Sequence, residues 1–402
     1  MKAPYWLVIA GCLSGFFPLW GCAAAPTVPE TLSAPQAEEL PITAVKTVSV
    51  VQGLEHPWGM AWLPNGDILI TERPGRLRRV RNGKLDPNPI PGVSEVSTIG
   101  AQQVFASQQG GLLDIAVHPR FQETGWLYFS YAHGDREANR TRVARGKFDG
   151  EVLQNWEVIF EVGQSKKDGQ HFGSRLVWLP DQTLLVSIGD GGNPPVQLEG
   201  KLIRLQAQNL GSHLGKVIRI TEDGKIPPDN PFLNRSGAAP EVWSYGHRNI
   251  QGMAYDPLRG KVWATEHGSR GGDELNEVRK GENYGWPLVS FSLEYSAEQP
   301  VAPKTADPAM IPPQRVWTPA IAPSGLAVYT GDRFPQWRGN LFLGGLVSRS
   351  LHRLELDGTG RIQRESRVPI GERTRDARQG PDGYLYVLTD ENPGQLLRLT
   401  PE

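Results

Sequence analysis

His171 and Asp190 are the two side chains of this sequence best placed to move a proton together. His171 stands in Gln170-His171-Phe172-Gly173-Ser174-Arg175-Leu176, just before an apolar run, and Asp190 follows nineteen residues later in Ile188-Gly189-Asp190-Gly191-Gly192. Positions that bracket one hairpin can lie side by side, where a carboxylate orients an imidazole and raises its basicity. The plain alternative is a histidine capping a turn and an aspartate serving the glycines around it. A second group is Tyr245-Gly246-His247-Arg248-Asn249-Ile250-Gln251-Gly252, in which Arg248 offers a rigid fork for anions and Asn249 both a donor and an acceptor. Arg373 and Arg375, one residue apart before Asp376, would share a face on a strand; taken on the residues alone, a solvated surface pair with Glu372 or Asp376 as partner is the favoured reading. The third group runs from Glu266 through His267, Gly268, Ser269, Asp273, Glu274 and Asn276 to Tyr284 and Trp286. Acidic side chains among glycines let carboxylate and main-chain oxygens converge on a hard cation, which suits calcium better than zinc. The spacing is not that of an EF-hand loop, and an acidic turn without metal remains open.

A repeated element must bring these distant segments together. A turn rich in Pro, Asp or Gly, then a short apolar strand, then a polar turn occurs at Ile68–Thr71, Trp126–Phe129, Thr183–Ser187, Val262–Thr265, Leu341–Leu343 and Tyr384–Val387. The copies start at intervals of about 44 to about 79 residues. A four-stranded propeller blade needs roughly 40–50 residues, so the longer intervals leave room for insertions. Six units that cannot bury both faces alone predict radial stacking, an all-β six-bladed propeller with four-stranded antiparallel blades around a central channel. Ligand loops from several blades would meet at one mouth. The Pro-rich stretch from Ser296 to Pro323 is expected as a loop over one face.

The chain has 402 residues, a net charge of -1 and 39% hydrophobic residues, the balance of an ordinary folded protein with no pull toward nucleic acid. Residues 1–22 read as a leader. Leu19-Trp20-Gly21-Cys22 resembles a bacterial lipobox, with Cys22 as the lipidated residue, exported and anchored on the periplasmic side of a membrane. Cys12 after Ile9-Ala10-Gly11, or a plain secretory signal ending near Ala25, are the other readings. Both cysteines lie in this segment, so the domain after it has no internal disulfide. Residues 23–44, rich in Ala, Pro, Thr and Glu, are expected as a flexible tether, and 45–402 as the propeller.

Taken together, the phrases resemble the soluble aldose and glucose dehydrogenases that use pyrroloquinoline quinone (PQQ), the glucose/sorbosone dehydrogenase family, from about Leu54 to Leu399. Gln109-Gly110-Gly111-Leu112-Leu113, His118-Pro119-Arg120-Phe121, His171 to Leu176, Ile188 to Gly191, Gly246 to Gly252, Asp223 to Phe232, Asp273 to Trp286 and Arg373 to Asp376 carry it, in shared order and spacing. The resemblance implies oxidation of an aldose at C1 to the lactone, with His171 as general base, Asp190 as its partner, and Arg248 stabilising charge on the quinone. It assigns Gln109, Arg248, Asn249, Arg373 and Arg375 to PQQ, the carbonyls of Gly268 and Ser269 to its calcium, and Glu274 and Tyr284 to a second calcium. Val347 stands where the family usually has a lysine, and Arg349, two residues on, is the candidate replacement. The electron acceptor is not identified.

Two other classes compete. A calcium-dependent propeller lactonase would bring carboxylates from several blades to the channel and would lack the arginines. A non-catalytic propeller would serve as a binding scaffold.

Overall fold

The computed structural model describes residues 38–39, 45–93 and 104–402; the leader, Cys22 and most of the expected tether lie outside the described residues. Six blades follow one another along the chain, and a separate two-stranded antiparallel hairpin, Gln197–Leu198 with Lys201–Leu202, is inserted within the third. Blade 1 comprises Pro57–Trp62, Ile68–Glu72, Arg76–Arg81 and Lys84–Leu85; blade 2 comprises Leu112–Val117, Trp126–Gly134, Asn139–Phe148 and Leu153–Glu161. Blade 3 is built from Leu176–Trp178, Leu184–Ile188, Lys216–Ile220 and Val242–Tyr245, and blade 4 from Ile250–Asp256, Lys261–Glu266, Asp273–Val278 and Arg315–Trp317. Blade 5 contains Pro323–Val328, Leu341–Gly345, Ser350–Leu356 and Ile362–Pro369. Blade 6 contains Thr374–Gln379, Leu385–Thr389 and Gly394–Pro401, and takes its fourth strand, Val45–Leu54, from the other end of the domain.

The first strand of each blade packs on the first strands of its two neighbours, and the contacts run round from blade 6 back to blade 1. These strands therefore line the channel of a closed ring. Each repeated phrase of the sequence is the second strand of its blade. Those strands read as unbroken apolar runs because the blade is covered on both faces: all five residues of Ile68–Glu72, Leu184–Ile188, Leu341–Gly345 and Leu385–Thr389 are buried. The core lies between blades. Leu69, Leu77, Ile115 and Phe129 fill the seam of blades 1 and 2, and Val51, Leu54, Ile70 and Leu388 fill the seam of blades 6 and 1.

Where the inner strands converge, Arg175, Asp114, Asp376 and Arg378 form a buried network. Arg175 Nη1 lies 3.2 Å from Asp114 Oδ1 and 3.0 Å from Asp376 Oδ1, and Arg378 pairs with both carboxylates. The packing leaves no space for a side chain at Gly325, where a Cβ would fall 1.9 Å from Asp376 Oδ1. Asp376 is thus committed to the channel and is not the partner of the neighbouring arginines.

Two expectations need correction. Glu38–Glu39, within the expected tether, pairs in parallel with Ser366 and Arg367 and extends blade 5, whose outer strand otherwise ends in unpaired backbone groups that template such an addition. The stretch from Ser296 to Pro323 is not loop throughout, because Arg315–Trp317 is the fourth strand of blade 4, its Val316 and Trp317 paired with Glu274 and Asp273. The long excursion lies upstream, from residue 279 to 314, and with the insertions of blade 3 it accounts for the wider repeat intervals.

Candidate active site at one mouth of the channel

In an antiparallel blade the start of the first strand and the end of the second lie at the same face. The predicted residues occupy these positions. Gln109 and His171 precede the first strands of blades 2 and 3, Arg248 and Asn249 precede that of blade 4, and Arg373 precedes that of blade 6, in which Arg375 is the second residue. Asp190 follows the second strand of blade 3, Gly268 and Ser269 that of blade 4, and Val347 that of blade 5.

His171 Nδ1 lies 2.6 Å from Asp190 Oδ1, both groups buried. The carboxylate accepts Nδ1–H, which leaves the Nε2 lone pair as the ring's open base; the Asn193 amide stands 3.5 Å from it. His171 holds a φ of +50°, a left-handed conformation costly for a side-chain-bearing residue. It is kept there by a hydrogen bond from its N–H to Gln109 Oε1 at 2.9 Å. The two loops touch so closely that a Cβ at Gly189 would meet the His171 carbonyl oxygen at 2.1 Å. Asp190 Oδ2 in turn accepts Trp286 Nε1–H at 2.8 Å, and the indole lies beneath the guanidinium of Arg248, 5.3 Å from its centroid. Burial, followed by the charge of Arg248, lowers the His171 pKa, with Asp190 opposing. The ring is therefore neutral at neutral pH.

Arg248 donates to the His267 carbonyl at 3.0 Å and to Asn193 Oδ1 at 2.7 Å, while Asn249 Oδ1 accepts from Gly173 N at 3.1 Å. Beside this cluster opens a cavity of about 270 Å³, lined by Trp58, Gln109, Gly173, His267 and Val347, with Arg73, Arg373, Arg375 and Asp390 on its wall. Arg373 and Arg375 both donate to Asp390 Oδ2, at 3.2 and 2.8 Å, so they do share a face, but their partner is neither Glu372 nor Asp376. The wall carries three guanidinium groups and one carboxylate. On this wall Arg375 Nε is buried without a hydrogen-bond partner, as are Arg248 Nε and Asn249 Nδ2 in the cluster beside it. Such a wall fits a polyanionic, flat ligand rich in acceptors.

The loop carrying Gly268 and Ser269 is pinned by Asp273, whose carboxylate accepts from Gly268 N, Ile321 N and Ala322 N, each at 2.8 Å. Gly268 has no room for a side chain, as a Cβ would meet Gly271 O at 2.2 Å. This rigid, glycine-formed turn fits cation binding through carbonyls. Glu266, buried, and Glu274, half-buried, are cross-strand neighbours whose carboxylates both accept from the Asn276 amide, at 2.8 and 3.2 Å. Burial and the neighbouring Glu266 push the Glu274 carboxyl up to about 8, an environment a divalent cation would relieve. Tyr284 fits less well through its hydroxyl, which donates to Glu277 O and accepts Arg279 N–H at 2.8 Å; only main-chain coordination is open to it.

Arg349 does not replace the missing lysine in the way its spacing suggests. Residues 346–349 form a turn between two strands, Arg349 has a φ of +51° and is exposed, and only Val347 of the two lines the cavity. Strand alternation does not apply inside a turn. The residue reading missed Arg73, Asp390 and Trp58, and it placed Trp286 in the acidic, glycine-rich group rather than beside Asp190. The signal for the first two was in the repeat: Arg73, His267, Leu346 and Asp390 each stand immediately after the second strand of a blade, the position that faces the cavity.

Residues 54–398 match the family model described as glucose / sorbosone dehydrogenase. The chain is 70% identical over 355 residues to the uncharacterized protein slr1608 of Synechocystis sp., covering 88% of this chain and 86% of the relative. It is 39% identical over 366 residues to the aldose sugar dehydrogenase YliI of Escherichia coli, covering 89% and 94%. The solved PQQ-bound aldose sugar dehydrogenase of Streptomyces coelicolor superposes with a TM-score of 0.69 at 26% identity, over 90% of this chain and all of that one (100%).

Proposed function

The chain belongs to the glucose/sorbosone dehydrogenase family, and from that premise we propose that it oxidises aldose sugars at C1 to the lactone with PQQ and calcium. The observation that carries the reading is the pairing of a buried His171–Asp190 dyad with a cavity wall of three arginines against one aspartate. Converging carboxylates, which a hydrolytic propeller would need there, are replaced by cations.

PQQ, when bound, supplies a two-electron acceptor for hydride, and its calcium a Lewis acid. Arg373 and Arg375, with Gln109, Arg248 and Asn249, would hold the cofactor; the carbonyls of Gly268 and Ser269 would hold its calcium, and Glu274 with the Tyr284 main chain a second ion. His171 Nε2 takes the proton of the C1 hydroxyl as the C1 hydride leaves. Asp190 keeps the Nδ1–H tautomer and stabilises the imidazolium that forms. Trp286 fixes the second oxygen of Asp190, so the dyad cannot swing. Arg248, held by His267 O and Asn193, would stabilise negative charge developing on the acceptor.

Adding PQQ and calcium to purified apoprotein should produce aldose-dependent dye reduction, with the lactone as product. Sugar-independent behaviour after both additions would remove the reading, and lactone hydrolysis without PQQ would favour the hydrolase. Export and lipidation at Cys22 belong to the same proposal and are supported by the leader residues alone; a Cys22→Ala chain that still partitions with membranes would contradict them.

A further inference from the structure

Three guanidinium groups border the cavity, and two of them are explained. Arg373 and Arg375 converge on one oxygen of Asp390. Arg73, immediately after the second strand of blade 1, meets no carboxylate. Its Nε donates to Gly110 O at 3.2 Å and its Nη2 to Gln108 O, two neutral acceptors. These contacts orient the side chain and cancel none of its charge. Because arginine stays ionised in proteins, the wall keeps an excess of two positive charges. Burial first, and then the like charge of Arg375, hold the Arg73 pKa below its ordinary value, with Asp390 opposing only in part. A bound anion relieves that repulsion.

We propose that Arg73 is a third anchor for the carboxylates of the bound cofactor, acting from blade 1 beside Arg373 and Arg375 of blade 6. The cofactor is then clamped across the seam at which the ring closes. The family's usual lysine position is Val347, so the cation is supplied from another blade rather than from the blade-five turn. This inference rests on the PQQ reading.

Titration of apoprotein with PQQ at fixed calcium, followed by quenching of tryptophan fluorescence, tests it, since Trp58 lines the same cavity. Arg73→Gln is expected to raise the dissociation constant at low salt by at least about tenfold, the size of a lost charge-assisted contact. Its binding should also fall less steeply with added NaCl than that of the wild type. Arg73→Lys, which keeps the charge but not the fork, should recover most of the affinity and the wild-type salt slope. Arg73→Met replaces the Gln variant if the latter does not fold. Affinity within twofold of wild type for the neutral variants overturns the proposal. So does equal weakening in the Lys and Gln variants with an unchanged salt slope, which would mean that Arg73 only clips the Gln108–Gly110 loop. Wild-type protein that fails to bind PQQ is a separate result and removes the functional reading itself.

Discussion

At the scale of single residues the proton-transfer assignment stands on which nitrogen is left open. Asp190 occupies Nδ1, so only Nε2 can accept a proton, and His171→Gln removes that acceptor while keeping the size of the side chain. PQQ-saturated His171→Gln protein is expected to lose roughly 10²–10⁴-fold in kcat, the range for a positioned base, with its PQQ titration unchanged. Wild-type turnover would end the assignment. The pH dependence follows from the groups that face the ring. Arg248 and Lys166 lower its pKa, and Asp190 alone raises it; Lys166 is itself pushed down to about 7 by burial. Asp190→Asn removes the one raising group, so the protonated form is disfavoured further. The acidic limb of kcat/KM should therefore move to lower pH in that variant, together with a fall in kcat from the weaker base. A limb displaced upward, measured across the profile with saturating PQQ, would show that Asp190 does not act on His171.

At the scale of elements, the second strand of each blade was legible because it is covered on both faces and is mostly apolar, with its polar residues near its ends. The outer strands were not, since Asn139–Phe148 and Leu153–Glu161 mix charged and apolar residues at a half-solvated surface. The cavity wall was partly legible: His171, Asp190, Arg248 and the Arg373–Arg375 pair lie in phrases rich in glycine and charge. Arg73 and Asp390 lie in ordinary turns, and only alignment of the blades by the last residue of the second strand exposes them. The same register explains why spacing misled at Arg349, which belongs to a tight turn rather than a strand. Val347 is 62% exposed and faces the cavity mouth, so a lysine there can extend over the bound anion. Val347→Lys is expected to tighten PQQ binding several-fold and Arg349→Ala to leave it unchanged, by titration at fixed calcium. The reverse pattern would mean that the turn presents Arg349 to the cofactor.

At the scale of the whole molecule, local charge and ring closure meet. A net charge of -1 over 402 residues averages away the cationic wall, which exists only because blades 1 and 6 are neighbours. That neighbourhood depends on the N-terminal strand: Val45–Leu54 pairs with Gly394–Pro401 from Val45 opposite Pro401 to Leu54 opposite Gly394. Without it blade 6 loses its outer strand and the seam loses the buried side chains of Val51 and Leu54. Each buried aliphatic side chain contributes about 1.5–3 kcal/mol, against a total stability of only about 5–15 kcal/mol for a typical fold. The strand Gly394–Pro401 would also become an unpaired edge, prone to association. A chain that starts at residue 55 should melt at markedly lower temperature than one that starts at residue 45, and aggregate sooner. It should also lose PQQ affinity, because Arg73 would no longer be held beside Arg373 and Arg375. Thermal unfolding followed by circular dichroism, with and without PQQ, measures both effects. Equal melting temperatures in the two chains would show that the ring closes without this strand, and intact PQQ binding in the shorter one would separate closure of the ring from assembly of the site.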